Sequence, residues 1–386
     1  SGVRAEEGAT LSMPELINLG LARQPALAAA RASLAAAESG LRGLQGLRFA
    51  GLFAKDLKIR KEQACLGVTI AAAGLEQAEW ETRYAVVRNY YSVIYAREQS
   101  KVVNRIKGKL EESLAQARKL VKAGDPDIKV TNLDVDILAL NLSLLKSKEV
   151  EAQTGIRKAF AALREALGVG PEYPLDIGAD TLPPLVSDFN KETLAAMAFA
   201  NRGEIAQAAA AHQVTALEVD AQGKLRGPNG RTFAPGTDVH AKPIPQGISN
   251  GEYRPGAIGL EMPAALAGRK SDRIERAQLL NERAGAVVDK TNNLVALEVE
   301  ATYLKWLEAA QKVKGLEEAP RIAVEITDKV KKEFDKGKVG GEAILRAQGM
   351  EEQIAASYNE ALYMHALALA ALERVTAGGY RLTKQP

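Results

Sequence analysis

The 386 residues carry 51 basic and 48 acidic side chains, a formal charge of +3, with 46% hydrophobic but only 5% aromatic residues. Charges so evenly matched and dispersed exclude a nucleic-acid surface and a polybasic membrane patch. Abundant alanine, leucine, glutamate, lysine and arginine favour long helices packed through small side chains over a compact aromatic core. Cys65 is the only cysteine, which excludes intrachain disulfides, thiolate metal clusters and CxxC redox pairs. It is read as a small buried residue.

In chain order, residues 1–11 form a tail. It opens Ser-Gly-Val-Arg without an initiator methionine or an apolar h-region, as expected where a signal peptide has been removed or a tag scar remains. The first helical repeat spans 12–168. Ser12 can cap a helix, with Glu15 three residues on completing a capping box, and the apolar period from Met13 to Leu47 predicts one amphipathic helix. After a break at 48–54 the longest pattern runs from Lys55 to Ala123, with Tyr84, Val87, Tyr91 and Ile94, then Val102, Ile106, Leu110 and Leu114, on one face. At 1.5 Å per residue that is roughly 100 Å of helix. Gly124 suits a left-handed C-terminal cap and Pro126 cannot continue the helix; the period resumes near Leu133 and runs to Leu167. The result is a long antiparallel hairpin. Residues 169–190, rich in proline, read as an irregular connector.

The same order then repeats over 191–378. Leu16, Ala22, Leu27 and Ala28 match Leu194, Ala200, Ile205 and Ala206 at an offset of about 178, and Tyr90 and Gly124 match Tyr303 and Gly337 at about 213. The jump locates an insertion in the second copy, the Gly- and Pro-rich stretch 222–263. Pro320 falls inside the second long helix, where it should bend or break the rod. Residues 379–386 form a C-terminal tail. No apolar run reaches the roughly 18 to 20 residues of a spanning helix.

Chemistry-bearing constellations are sparse. His212, His240 and His365 have no second histidine or carboxylate at metal-ligand spacing, so no metal is expected. The glycines between Gly227 and Gly236 follow no strand pattern and precede no helix start, so they read as loop. Glu298, Glu300 and Glu308 lie on helices with mixed charge and read as a solvated face. Trp80, Tyr84, Tyr90, Tyr91 and Tyr95, echoed by Tyr303 and Trp306, read as interhelix packing. No catalytic residues and no cofactor are expected, and the chain is not read as an enzyme.

Four segments together resemble the TolC family of outer-membrane efflux ducts. The run Ala22-Arg23-Gln24-Pro25-Ala26-Leu27 is similar to the family's opening segment, and Ala200-Asn201-Arg202-Gly203-Glu204-Ile205 repeats it with Gly203 in place of proline. Residues 334–348, from Phe334 to Gln348, resemble the family's second hairpin turn. The stretch 261–269, with Pro263 and Gly268, resembles the turn from strand into long helix. The resemblance implies an all-α or mainly α fold of two repeated antiparallel hairpins that form part of an oligomeric α-barrel. It also implies a homotrimer that conducts passively, lies in a bacterial envelope, and docks a periplasmic adaptor and an inner-membrane pump. The hairpin tips would be the docking surface: Gly124, Asp125 and Asp127 in the first, and Gly337, Lys338, Gly340, Gly341, Glu342 and Arg346 in the second.

The chain departs from the family in its strands. Transmembrane strands need about 9 to 11 alternating residues each, and 48–54 cannot hold a hairpin of them. The insertion carries Pro228, Pro235, Pro243, Pro245 and Pro255, so little or no β-barrel is expected and membrane insertion stays open. Ala343 stands where the family has an acid. A second reading is therefore a soluble or extracellular structural subunit that builds a tube, ring or fibre from the same hairpins. A third is a cytosolic coiled-coil scaffold.

Overall fold

The computed structural model describes residues 10–47, 54–178, 181–182, 188–225, 229–231 and 265–382. Pro263, His240 and most of the 222–263 stretch lie outside the described residues. The chain begins with Thr10–Leu11 (β1), Met13–Arg23 (α1), Pro25–Gly46 (α2), Leu57–Ala123 (α3) and Asn132–Leu167 (α4). After Asp176–Ile177 (β2) come Lys191–Asn201 (α5) and Gly203–Lys224 (α6), then Asn229–Arg231 (β3) and Ala265–Ala267 (β4). Lys270–Leu316 (α7), Ala319–Asp335 (α8) and Gly341–Val375 (α9) complete the order. Among the described residues the architecture is two helical hairpins, α3 with α4 and α7–α8 with α9, and strand is confined to two short pairs.

The first helix differs from expectation. Met13–Leu47 is two helices, because Gln24 is extended at φ −62 and ψ 120. A residue ahead of proline is driven out of the α region, and Pro25 then starts the next helix, where its missing N–H costs nothing. Arg202 makes the same extended break in the second repeat at ψ 128, without a proline. Pro320 acts as expected: α7 stops at Leu316, and Pro320 sits in the first turn of α8. In the connector, Asp176–Ile177 pairs in parallel with Thr10–Leu11, held by Arg97, which donates to the Ile177 carbonyl at 3.0 Å.

α3 is the spine, packing on α4 toward the tips, on α2 toward the opposite end, and on α6 and α9 of the second repeat. One cluster joins Leu16, Val86, Tyr90, Tyr91, Leu163 and Leu167. A second fills the tip half with Val102, Ile106, Leu110, Leu138, Phe334 and Ile344. Trp306 packs with Val299, Leu369 and Leu372 in a third. Tyr95 stacks on Tyr363 at 4.4 Å between ring centres, so the aromatic residues bind helix to helix. Cys65 is a correction. It is exposed, on the open side of α3 in a stripe with Glu62, Thr69 and Glu76.

Candidate functional site: the paired hairpin tips

Each tip is built from a helix stop and a cap. Gly124 ends α3 at φ +67, a conformation that costs a side chain dearly. Beyond it, Asp125 folds the turn by accepting from the Asp127 N–H at 3.0 Å. Thr131 then caps α4: its Oγ1 accepts from the Asp134 N–H at 3.3 Å, and its own N–H donates back to Asp134 Oδ2 at 2.8 Å. In the second tip Gly337 takes φ +73, its N–H donates to the Phe334 carbonyl at 2.8 Å, and Lys338 N–H donates to the Glu333 carbonyl at 3.0 Å.

The tips are clasped to one another. Lys129 N–H donates to the Gly337 carbonyl at 2.8 Å, and the Gly341 N–H at the start of α9 donates to Asp134 Oδ1 at 2.8 Å. A Cβ on Gly337 would stand 2.9 Å from Ile128, and one on Gly341 would stand 2.7 Å from Asp134. Both glycines are buried between the turns, where bulk would push the tips apart. Gly340 is half-buried, while Gly124, Asp125, Asp127, Lys338, Glu342 and Arg346 are exposed. Six of the nine tip residues singled out in the sequence thus face outward, and two serve the clasp.

Asp134 was not among those residues, although its Thr-x-x-Asp spacing is a capping signal. Asp134→Ala should lower stability by about 2 kcal/mol, combining a lost cap with a lost charge-assisted bond. Denaturant unfolding measures it, and an unchanged midpoint would mean that water replaces the clasp at no cost. Sequence reasoning also missed a second apolar stripe on α4. Leu133, Leu140 and Leu144 are exposed, Leu133 by 66%, on a different face from the buried Leu138 and Leu145.

Two buried ionic clusters tie the repeats together. In the first, Glu298 accepts from Arg202 and from Arg374, whose other partners are Glu204 and Glu81. Glu298 is therefore no solvated residue, whereas Glu300 and Glu308 are exposed and paired with Lys191 and Lys312. Burial alone would raise the Glu298 carboxyl, but Arg374 and Arg202 outweigh it and hold it below the ordinary carboxylate value. In the second cluster Arg60 bonds Asp56, Gln63 and Glu218. Gln222 links Glu218 to Arg273, which donates in turn to the carbonyls of Gly268 and Leu225. Gly268, at φ +114, makes the step from β4 into α7. Among the described residues no group of side chains could hold a metal ion.

No family model matches the chain, and no curated protein sequence matches it. Solved structures do. A membrane protein from Pseudomonas aeruginosa is 15% identical with a TM-score of 0.75, over 97% of this chain and 92% of that one. The outer-membrane channel OprN is 15% identical at 0.74, over 97% and 94%. The outer-membrane protein VceC from Vibrio cholerae is 14% identical at 0.74, over 96% and 97%. Nearly end to end, therefore, the chain has the TolC-type helical-hairpin fold of outer-membrane channels, the fold that its own motifs resemble.

Proposed function

We propose that the chain is a duct component of a bacterial envelope, a passive conduit for efflux or secretion without catalytic activity. It works as a homo-oligomer, a trimer on the family pattern, and its paired tips dock a periplasmic adaptor that leads to an inner-membrane pump. The observation that carries this reading is the fold shared with outer-membrane channels over nearly the whole of both chains. The clasped tips support it: they hold Asp125, Asp127, Lys338, Glu342 and Arg346 on one rigid, charged end.

The test uses the exposed residues and leaves the clasp alone. Arg346→Glu with Lys338→Glu should weaken capture of the adaptor at least tenfold while helicity and sedimentation stay unchanged, since such surface changes cost within about 0.5 kcal/mol. If adaptor capture and efflux in the native host are both unaffected, the tips are not the docking surface. The structural-subunit reading then gains. It has an observation of its own in the short link between Gly46 and Leu57, where two membrane strands of about 9 residues would not fit.

A further inference from the structure

Beyond the end of α9 the chain folds back over the helices. Gly378 takes φ +75 and its N–H donates to the Glu373 carbonyl at 3.0 Å, which turns the backbone sharply. Thr376 pins the turn, its hydroxyl donating to the Leu372 carbonyl at 2.8 Å and accepting from the Tyr380 N–H at 3.1 Å. The strap so formed, residues 376–382, rests on both repeats. A Cβ on Gly378 would overlap the Trp80 ring of α3, and one on Gly379 would stand 2.8 Å from Met197 of α5. Tyr380 meets Phe189 edge-on at 4.9 Å, and Leu382 packs against the cluster of Leu16 and Tyr91 as well as that of Leu194 and Trp306.

Two polar groups are enclosed where the strap meets the helices. Glu373 is only 7% exposed, and its carboxyl receives a hydrogen bond from the N–H of Leu382. The charged and titratable groups that face it are Arg83 and Tyr91 of α3 and Tyr380 and Arg381 of the strap. Both guanidinium groups lie over the Trp80 ring, 5.3 and 5.2 Å from its centre, and act on the carboxyl through space without a hydrogen bond. They do not outweigh burial, and the carboxyl is held above its ordinary value. The Tyr380 hydroxyl has no hydrogen-bond partner among the described residues, and burial beside Glu373 pushes it up to about 12. It therefore stays protonated while Glu373 titrates, and Glu373 is the group that changes.

We propose that residues 376–382 are a proton-operated latch between the two repeats, fastened when Glu373 is protonated and loosened when it is ionised. With the strap lifted, Glu373 meets water and returns to an ordinary carboxyl, so ionisation favours opening. The raised value belongs to the closed form. Closure is thus fully favoured below the ordinary value of about 4.3 and loses that advantage as pH rises through the closed-form value. The contacts of Gly378 with Trp80, Tyr380 with Phe189 and Leu382 with the two clusters are apolar and do not themselves change with pH. Arg374 keeps its pairs with Glu298 and Glu81, so the strap opens while α9 stays seated.

Hydrogen exchange in the full chain tests the latch. With rates normalised to the free peptide, protection over residues 376–382 should fall about threefold or more between about pH 5 and pH 8, while the middle of α9 stays unchanged. Glu373→Gln keeps an acceptor for the Leu382 N–H and cannot ionise, so its strap should hold the acid level of protection at both pH values. Circular dichroism checks that its helicity matches the unsubstituted chain. Equal protection of the unsubstituted strap at both pH values would overturn the latch. A Glu373→Gln strap that still loosens with pH, or is loose at both values, would overturn it as well.

Discussion

Replacing Glu298 by glutamine should destabilise the fold by about 3 kcal/mol, because it leaves two buried guanidinium groups facing a neutral side chain. Arg202 and Arg374 cannot shed their protons to compensate. Their remaining partners, Glu204 and Glu81, lie toward the rim and keep the loss at the lower end of the range for a broken buried pair. The sign of the pH dependence follows from the direction of the shift. Glu298 has its carboxyl lowered in the folded state, so its contribution is complete above the unfolded value of about 4.3 and fades as pH falls through the folded one. Glu373 works oppositely: burial raises its carboxyl, so its ionised form costs stability at neutral pH and protonation returns it. Denaturant unfolding at pH 7 and again near pH 3 separates the two. The gap between wild type and Glu298→Gln should narrow in acid, and a gap that stayed constant would mean that the carboxylate is not what holds the cluster.

Much of this fold is legible in the residue pattern, because long helices leave a simple mark. Val102, Ile106, Leu110 and Leu114 fall at helical spacing and are buried together. Gly124 and Gly337 are helix stops that only glycine fills without strain. The doubled offset reveals two units, and Pro320 locates the step between α7 and α8. What escapes is whatever depends on how one repeat lies against the other. Glu298 has Lys290 and Lys305 about two turns away and Glu300 beside it, and so looks solvated, yet its partners Arg202 and Arg374 come from 96 and 76 residues away. Arg60 and Glu218 are 158 residues apart. A faint signal did exist: Arg60 and Arg273 share the long-helix offset, and a recurring arginine four residues into each rod is hard to explain by solvation. The tips divide in the same way. Gly337 and Gly341 read correctly as turn residues, but that each faces the other hairpin is decided only when Ile128 and Asp134 arrive against them.

Arg60 and Glu218 offer the clearest measurement of what such a cluster contributes. Each side chain is only 2% exposed, and Glu218 touches Gln63 and Gln222 as well as the guanidinium. Burial alone would lower the affinity of Arg60 for its proton, but Glu218 and Asp56 overcome that, so the group stays charged. Glu218→Leu should therefore cost about 3 kcal/mol, since it leaves the buried guanidinium with Asp56 as its remaining carboxylate rather than merely deleting an attraction. Replacing both partners, Arg60→Met with Glu218→Leu, removes the two most buried charges, leaves Asp56 nearer the rim, and fills the space with apolar groups of similar size, which is often neutral and can be stabilising. The double variant should thus be more stable than the Glu218→Leu single, with a coupling of at least about 2 kcal/mol in the urea-unfolding cycle completed by Arg60→Met alone. Equal losses in the single and double variants would instead mean that water enters to solvate Arg60. The contact of α3 with α6 would then be held by Ala211 packed with Ile70 and by the close approach of Gly203 to the Ala73 carbonyl, and the ions would specify its register without stabilising it.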